Sequence, residues 1–180
     1  MKLFFESHKL FDMKEQEVSQ ALRKITYGFY IVTTRKPSEE MSTRDKDYIA
    51  AATVSWVSQA SFDPPMVTVA VQKHTDLHET IEKSRIFAVN IVGKDDQDML
   101  KPFAEKSTIE GDKINGFAFE DGETGAPILK DVPAYFECKV VEDLSNGDHS
   151  IYLGEVVGGE TRDADAVPLV EWETNMHYGG

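Results

Sequence analysis

The sequence has almost no cysteine, since Cys138 is the only one in 180 residues. A single thiol excludes an intramolecular disulfide and a metal site built from cysteines, and it favours a reducing compartment. Long apolar runs are missing too. Glu6 and Lys9 interrupt the N-terminal stretch, and no segment reaches the roughly 20 apolar residues that cross a bilayer. We therefore expect a soluble, cytoplasmic protein without a signal peptide or a membrane span.

Basic residues are scarce in comparison with acidic ones. The chain has 19 Lys and Arg against 32 Asp and Glu, which gives a formal net charge of -13. A field of that sign repels nucleic acid backbones and anionic lipids, so we expect neither nucleic acid nor membrane partners. The acidity is explained by solubility alone, although it leaves a basic protein partner open.

Several common motifs of catalysis and nucleotide binding do not occur. The glycines form neither G-x-G-x-x-G nor a phosphate loop, and there is no H-E-x-x-H or G-x-S-x-G. These absences exclude the most easily recognised dehydrogenases, metalloproteases and hydrolases. Cys138 lies in the middle of an apolar run, where a packed side chain is a better interpretation than a nucleophile.

The length and an apolar content of 41 % suit a single folded domain. We predict one domain over residues 1–180, with a helical lead-in over about 1–27. Val18, Leu22 and Ile25 recur at helical spacing within residues 12–27. Two shorter helices are predicted at 76–84 and 95–105, the first with Asp76 as its N-cap.

Strands outnumber helices in the pattern of β-branched and aromatic residues. The predicted strands cover residues 29–34, 48–61, 66–71, 86–92, 134–141, 150–157 and 167–172. Residues 36–47 are predicted to be a polar excursion, and 107–133 a loop with one short strand at 117–119. Short turns, such as the Asn146-Gly147 turn, favour an antiparallel barrel decorated by a few helices over a parallel sheet.

The segment from Thr53 to Thr75 contains an unusual strand. Hydroxyl residues recur at Thr53, Ser55, Ser58 and Ser61, and they alternate with valines and Trp56. Small residues let a ligand approach the backbone, and hydroxyls can bond to phosphate or ring heteroatoms without adding charge. Taken alone, the polar outer face of an edge strand explains the same pattern, with Trp56 in the core.

The run TVSWVSQASFDPPMVTVAV resembles the flavin-reductase-like, FMN-binding split-barrel proteins. It is especially similar to the flavin-reductase domains attached to flavodiiron proteins and rubredoxin-linked reductases. Further matching stretches follow in the same order, at residues 21–28, 87–91, 125–129 and 147–156. The resemblance implies a mainly β fold, an antiparallel Greek-key split β-barrel with a few short helices.

The resemblance also implies a site. It assigns flavin contacts, with FMN as the cofactor and FAD as the alternative, to Thr53, Val54, Ser55, Ser58, Gln59, Ala60 and Ser61. It places the flavin phosphate near Lys73, His74 and Thr75, between a strand end and a helix start where free backbone N–H groups attract anions. His149 belongs to a Gly-Asp-His motif that in this family lies where nicotinamide binds. On its own, a turn histidine is merely solvated.

The function implied is oxidoreduction, in which NAD(P)H is the transient donor, bound flavin carries the electrons, and free flavin or a redox protein accepts them. The resemblance implies a homodimer, and it suggests a rubredoxin or a flavodiiron protein as partner. A one-electron carrier fed by a protein partner and a non-catalytic flavin-binding module are the alternatives. Metal binding by His74 and His78 is less favoured, and we expect His78 to face solvent. Tyr178 either closes over the site or belongs to a frayed terminus.

Overall fold

The computed structural model describes residues 16–36, 48–176 and 178. A helix, α1, spans residues 16–22, inside the predicted helix of 12–27, whose first four residues lie outside the described ones. Its apolar side chains Val18 and Leu22 are exposed, as is Ile25 just after its end. Most of the predicted polar excursion also lies outside the described residues. No helix in the described ranges is both long enough and apolar enough to cross a membrane.

The rest of the described chain is mostly β-structure. In chain order the elements are β1 Tyr30–Arg35, β2 Ile49–Val54, β3 Val57–Phe62, β4 Pro65–Gln72, α2 Asp76–Ser84, β5 Ile86–Ile91, α3 Leu100–Phe103, β6 Ile109–Glu110, β7 Lys113–Ile114, β8 Phe117–Asp121, β9 Pro127–Leu129, β10 Ala134–Leu144 and β11 His149–Thr161. Short 3-10 turns over Gln97–Met99 and Glu171–Glu173 complete the description. The prediction of a mainly antiparallel β fold with a few short helices is confirmed.

The strands form two sheets. The large one has seven strands in the order β2-β1-β5-β10-β11-β4-β3, and the small one has the order β6-β7-β8-β9. The edge strands β2 and β3 of the large sheet are consecutive in the chain, and only Ser55 and Trp56 link them. Three Cα steps span at most about 11 Å, so the sheet must curl until its two edges meet at this link. The described residues form no ladder between β2 and β3, and the barrel therefore stays open there.

The core confirms this curl. One cluster joins Val32 of β1 and Ala50 of β2 to Val69 of β4 and to Leu77 and Ile81 of α2, so both ends of the strand order pack around one helix. A second cluster, on the other face, combines residues of β1 and β2 with α3 and the small sheet.

Asn90 connects the two sheets at their buried junction. Its Nδ2 donates to the carbonyl oxygen of Ile31 at 2.9 Å. Its Oδ1 accepts from the N–H of Leu129 at 2.8 Å. A single amide thus satisfies backbone groups of β1 and β9 that water does not reach.

Cys138 is fully buried in β10, as the packed interpretation predicts. Burial raises the pKa of its thiol to about 12. Gly154 lies beside it on β11. A larger residue would not fit there, because its Cβ would be 2.9 Å from the Cβ of Cys138 and 2.7 Å from the ring of Phe87.

Four predictions about local structure are wrong. The run 48–61 is two strands rather than one, because the chain crosses from one sheet edge to the other at Ser55 and Trp56. Residues 107–133 contain four short strands in place of one. Residues 167–172 make only single bridges, Gly93 with Pro168 and Gly28 with Val170, because the segment bonds first to residues beside the end of β5 and then to residues beside the start of β1.

The fourth wrong prediction concerns the start of α2. Thr75, rather than Asp76, is the N-cap: its backbone is extended and its Oγ1 accepts from the N–H of His78 at 3.2 Å. Asp76 occupies the first turn of the helix instead. The predicted helix at 95–105 is a 3-10 turn followed by the short α3, which ends one residue after Pro102.

Candidate functional site

A cavity of about 250 Å³ lies where the end of β2 faces the end of β4 across the curled sheet. Its walls include Ala52, Thr53, Val54 and Ser55 from β2 and the link, Ala70 and Val71 from β4, Thr75 from the cap of α2, and Met176 and Tyr178. The fold brings these residues together only because the two halves of the seven-stranded sheet approach each other.

Ser55 is the polar residue of this cavity whose bonding is incomplete. The residue is only 3 % exposed, and its Oγ has no hydrogen-bond partner among the described residues. Leaving a buried hydroxyl unpaired costs about 1–3 kcal/mol, which a polar ligand atom would recover. The neighbouring Trp56 shows the same feature, since its buried Nε1 has no partner within the described ranges either.

Thr53 also lines the cavity, but its hydroxyl already has a partner. Its Oγ1 donates to the carbonyl oxygen of Leu100 at 2.8 Å, which joins β2 to α3. Val54 forms part of the apolar wall. Among the three β2-side residues of the predicted flavin contacts, the unpaired hydroxyl is therefore that of Ser55.

The remaining predicted contacts on β3 lie outside the cavity wall. Ser58, Gln59 and Ala60 are exposed, and Ser61 is half-buried. Ser58 Oγ donates to the carbonyl oxygen of Gln59, and Gln59 Nε2 donates to that of Ser61, both at 3.2 Å. Ala60 has no partner on β4 because the register shifts between Gln59 and Ser61. This edge borders the link Ser55-Trp56 without closing the cavity.

The predicted phosphate loop connects β4 to α2. Thr75 lines the cavity, whereas Lys73 and His74 do not. Lys73 fastens the loop to the turn between β10 and β11, since its Nζ donates to the carbonyl oxygen of Ser145 and its backbone N–H to that of Asp148, each at 2.9 Å. His74 is exposed in a left-handed conformation with φ of 63°.

The electrostatics at the start of α2 are mixed. Its free N–H groups and helix dipole attract anions. Asp76 and Glu79 in the first turn reduce that attraction, while the charge of Lys73 restores part of it.

His149 begins β11 and is held at both ring nitrogens. Its Nδ1 lies 2.8 Å from Oδ1 of Asp148, and its Nε2 lies 2.7 Å from Oη of Tyr178. The hydrogen bond to His149 lowers the pKa of the Asp148 carboxyl. Burial raises the pKa of the Tyr178 hydroxyl, so that group remains protonated near neutral pH.

Trp56 lies within an aromatic cluster at the cavity mouth, defined here as Tyr27, Trp56, His149 and Tyr178. The Trp56 ring centroid is 4.7 Å from that of His149, 5.4 Å from that of Tyr178 and 6.2 Å from that of Tyr27. The expectation that Trp56 fills the core is wrong, because the indole is half-buried and belongs to neither main core cluster.

The expectation that His78 faces solvent is also wrong. His78 is 6 % exposed, and its Nε2 hydrogen bonds to Oγ of the buried Ser150 at 2.7 Å. The helix face that carries it turns toward β11, away from His74. Within the described ranges no three His, Cys, Asp or Glu side chains gather as metal ligands would.

No sequence pattern marks Ala52, Ala70 or Met176 as cavity walls. Of the two expectations for Tyr178, the structure agrees with a position over the site, since its side chain lines the cavity. Small apolar residues in a strand give no local signal of a ligand. The contact of Tyr178 with His149 joins residues 29 positions apart, so only the tertiary fold could reveal it.

Comparisons with known proteins identify the family and the fold. The family described as "Flavin reductase like domain" matches residues 22–180. Diflavin flavoprotein A 1 of Synechocystis sp. (strain ATCC 27184 / PCC 6803 / Kazusa) is 31 % identical over 165 residues. That match covers 91 % of this chain and 27 % of the relative, so the chain spans about a quarter of the relative's length.

Solved structures share the fold. A flavin reductase domain protein from Arthrobacter sp. FB24 has a TM-score of 0.72 at 25 % identity, covering 87 % of this chain and 90 % of its own. The flavin reductase HpaC, solved in complex with NADP⁺, has a TM-score of 0.70 at 25 % identity, covering 92 % and 97 % respectively.

Proposed function

We propose that this chain, which belongs to the flavin reductase like domain family, holds FMN in the cavity and passes electrons from NAD(P)H to an acceptor. The observation that carries the proposal is the unpaired Ser55 hydroxyl, buried in a cavity whose other polar lining residues are Thr53, Gln72, Thr75 and Tyr178. A heterocyclic ring with hydrogen-bonding edges would satisfy that hydroxyl and fill the apolar space around it.

The walls suit a flat ring system. Ala52 and Ala70 are small, so a ligand can approach the backbone of β2 and β4 closely, and Val54 and Val71 supply apolar contact. We propose FMN rather than FAD because the sequence contains no second nucleotide-binding signature such as G-x-G-x-x-G. The loop of Lys73, His74 and Thr75 is our proposed phosphate contact, and Ser58, Gln59, Ala60 and Ser61 are proposed to border the ring from β3.

Bound flavin supplies the capacity to accept a hydride and to release electrons singly or in pairs. The residues of this chain orient the flavin and shield it from water. Ser55 offers one hydrogen bond from a dry position, Thr53 holds β2 against α3, and Val54 and Val71 exclude water. His149, held by Asp148, presents its ring at the cavity mouth, where we propose that it contacts the nicotinamide.

We propose free flavin or a redox protein, such as a rubredoxin or a flavodiiron protein, as the acceptor. The net charge of -13 supports docking to a basic surface. A homodimer is also proposed, supported by the exposed apolar side chains Val18 and Leu22 of α1 and Ile25 just after it. The absence of a disulfide partner for Cys138 suits a cytoplasmic location.

The test has two stages. Titration with FMN and with FAD, followed by flavin fluorescence, should show tighter binding of FMN. Anaerobic stopped-flow mixing of the FMN-loaded protein with NADH or NADPH should then bleach the flavin absorbance within seconds. No flavin binding would refute the cofactor assignment. Tight binding without bleaching by either nucleotide would refute NAD(P)H as donor and favour the one-electron carrier.

A further inference from the structure

Tyr178 is fixed at the cavity mouth by four separate contacts. Its hydroxyl lies 2.7 Å from Nε2 of His149, and its ring meets Trp56 edge-on at 5.4 Å between centroids. Its backbone N–H donates to Oε1 of Glu171 at 2.7 Å, and its side chain lines the cavity. Backbone, ring and hydroxyl are therefore all engaged.

The hydrogen bonds around His149 show which group donates in its hydrogen bond with Tyr178. The Asp148 carboxylate only accepts, so Nδ1 of His149 carries the proton that faces it. In the neutral ring Nε2 is then an acceptor, and the Tyr178 hydroxyl donates to it. The hydroxyl occupies the one ring nitrogen that would otherwise be free to bond an incoming polar group.

The size of the cavity indicates that Tyr178 and the donor's nicotinamide ring would occupy the same space. The proposed reaction needs a nicotinamide ring stacked on the flavin, yet the cavity measures about 250 Å³, below the usual range for one drug-sized ligand. Of the residues at the mouth, Tyr178 alone both lines the cavity and bonds to His149. A planar aromatic ring that contacts Trp56 and His149 there resembles a nicotinamide in shape and position.

We infer that the side chain of Tyr178 occupies the place of the donor's nicotinamide ring, so that the donor must break the Tyr178–His149 hydrogen bond to bind. The inference rests on the proposed function and deepens it. Tyr178 then weakens donor affinity more than it affects flavin affinity or the rate of hydride transfer, because the donor displaces its side chain on binding.

Two substitutions separate the hydroxyl from the ring. Tyr178→Phe removes only the hydrogen bond, whose net worth of about 0.5–1.5 kcal/mol corresponds to a decrease of about two- to tenfold in the KM for NADH. Tyr178→Ala also removes the ring and should lower the KM further. The factor by which the KM falls should exceed any change in the Kd for FMN or in the limiting rate of flavin reduction. Tyr27→Phe is the matched control, since Tyr27 contacts Trp56 without reaching His149, and it should leave the KM unchanged.

A second measurement needs neither flavin nor turnover. In flavin-free protein the ring proton signals of His149, assigned with a His149→Gln variant, should move in Tyr178→Phe and stay in place in Tyr27→Phe. An unchanged or raised KM in both Tyr178 variants, or unmoved His149 signals, would overturn the inference. If the protein bound no flavin, the proposed function would fail separately. The inference would then stand or fall on whether Tyr178→Ala tightens equilibrium binding of NADH.

Discussion

Thr53 and Ser55 lie two residues apart and line the same cavity, yet only the Thr53 hydroxyl has a hydrogen-bond partner among the described residues. A hydroxyl group therefore has a different environment at each of two positions at the end of β2. At Thr53 it joins β2 to the carbonyl oxygen of Leu100, and at Ser55 it has no partner among the described residues.

This difference predicts opposite results for two substitutions. Ser55→Ala should weaken FMN binding by about two- to tenfold and leave the free energy of unfolding unchanged or slightly raised, because no internal bond is lost. Thr53→Val should lower the free energy of unfolding by about 0.5–1.5 kcal/mol, because the hydrogen bond to Leu100 disappears. Urea unfolding and FMN titration of both variants provide the measurements. Equal loss of stability in the two variants would contradict the assignment of the free hydroxyl.

Filling the cavity should block the ligand without unfolding the protein. In Ala70→Leu the added side chain enters the space between β2 and β4, and we expect FMN affinity to fall by more than about tenfold. Thr68→Leu is the control, because Thr68 lies two residues earlier on the same face of β4 and does not line the cavity. Far-ultraviolet circular dichroism should be the same for both. Normal FMN affinity in Ala70→Leu would place the flavin elsewhere.

Asn90 should be a large contributor to stability. Asn90→Ala leaves the N–H of Leu129 and the carbonyl oxygen of Ile31 without this partner in a buried position, so we expect the free energy of unfolding to fall by about 2–4 kcal/mol. Gln97→Ala removes an amide that bonds only to the Lys94 carbonyl oxygen at the surface, and it should cost less than about 0.5 kcal/mol. Similar denaturation midpoints for the two variants would show that Asn90 does not join the sheets.

The Cys138 thiol should not react in the folded protein. Its pKa of about 12 leaves about one thiolate in ten thousand at pH 8, and the side chain is fully buried. Ellman's reagent should therefore label one thiol per chain in guanidinium chloride and none within minutes under native conditions. Because folding raises this pKa above its unfolded value, the contribution of Cys138 to stability is complete below about pH 8.5 and declines at higher pH. Rapid native labelling would reveal an accessible thiol.

Sequence patterns predicted the long elements and, of the four strands of the small sheet, only β8, for a physical reason. β1, β4, β5, β10 and β11 each have six or more residues, enough for strand-forming side chains to be recognised. The strands β6 to β9 have two to five, and they form because the small sheet packs against the core containing Phe103 and Leu129. The strand propensities of Ser55 and Trp56 do not reveal the break between β2 and β3, since the break depends on where the two sheet edges meet.

The site was predictable in part. The hydroxyl-rich strand and the loop ending at Thr75 were singled out, and Thr53, Val54, Ser55 and Thr75 do line one cavity. A hydroxyl is free or paired according to the residues that the fold brings next to it. The spacing of hydroxyl residues along the sequence does not show this. The role of Tyr178 depends on a contact with His149 that no local pattern records.

The opening between β2 and β3 couples the free energy of unfolding to the binding of a ligand in the cavity. A ligand in the cavity touches the walls of β2 and β4 together, and these strands stand near opposite ends of the hydrogen-bonded order. Unfolding then requires the ligand to leave, so occupancy adds RT ln(1 + [L]/Kd) to the free energy of unfolding of the entire sheet. If FMN is that ligand, as we propose, the free energy of unfolding should rise with the concentration of free FMN.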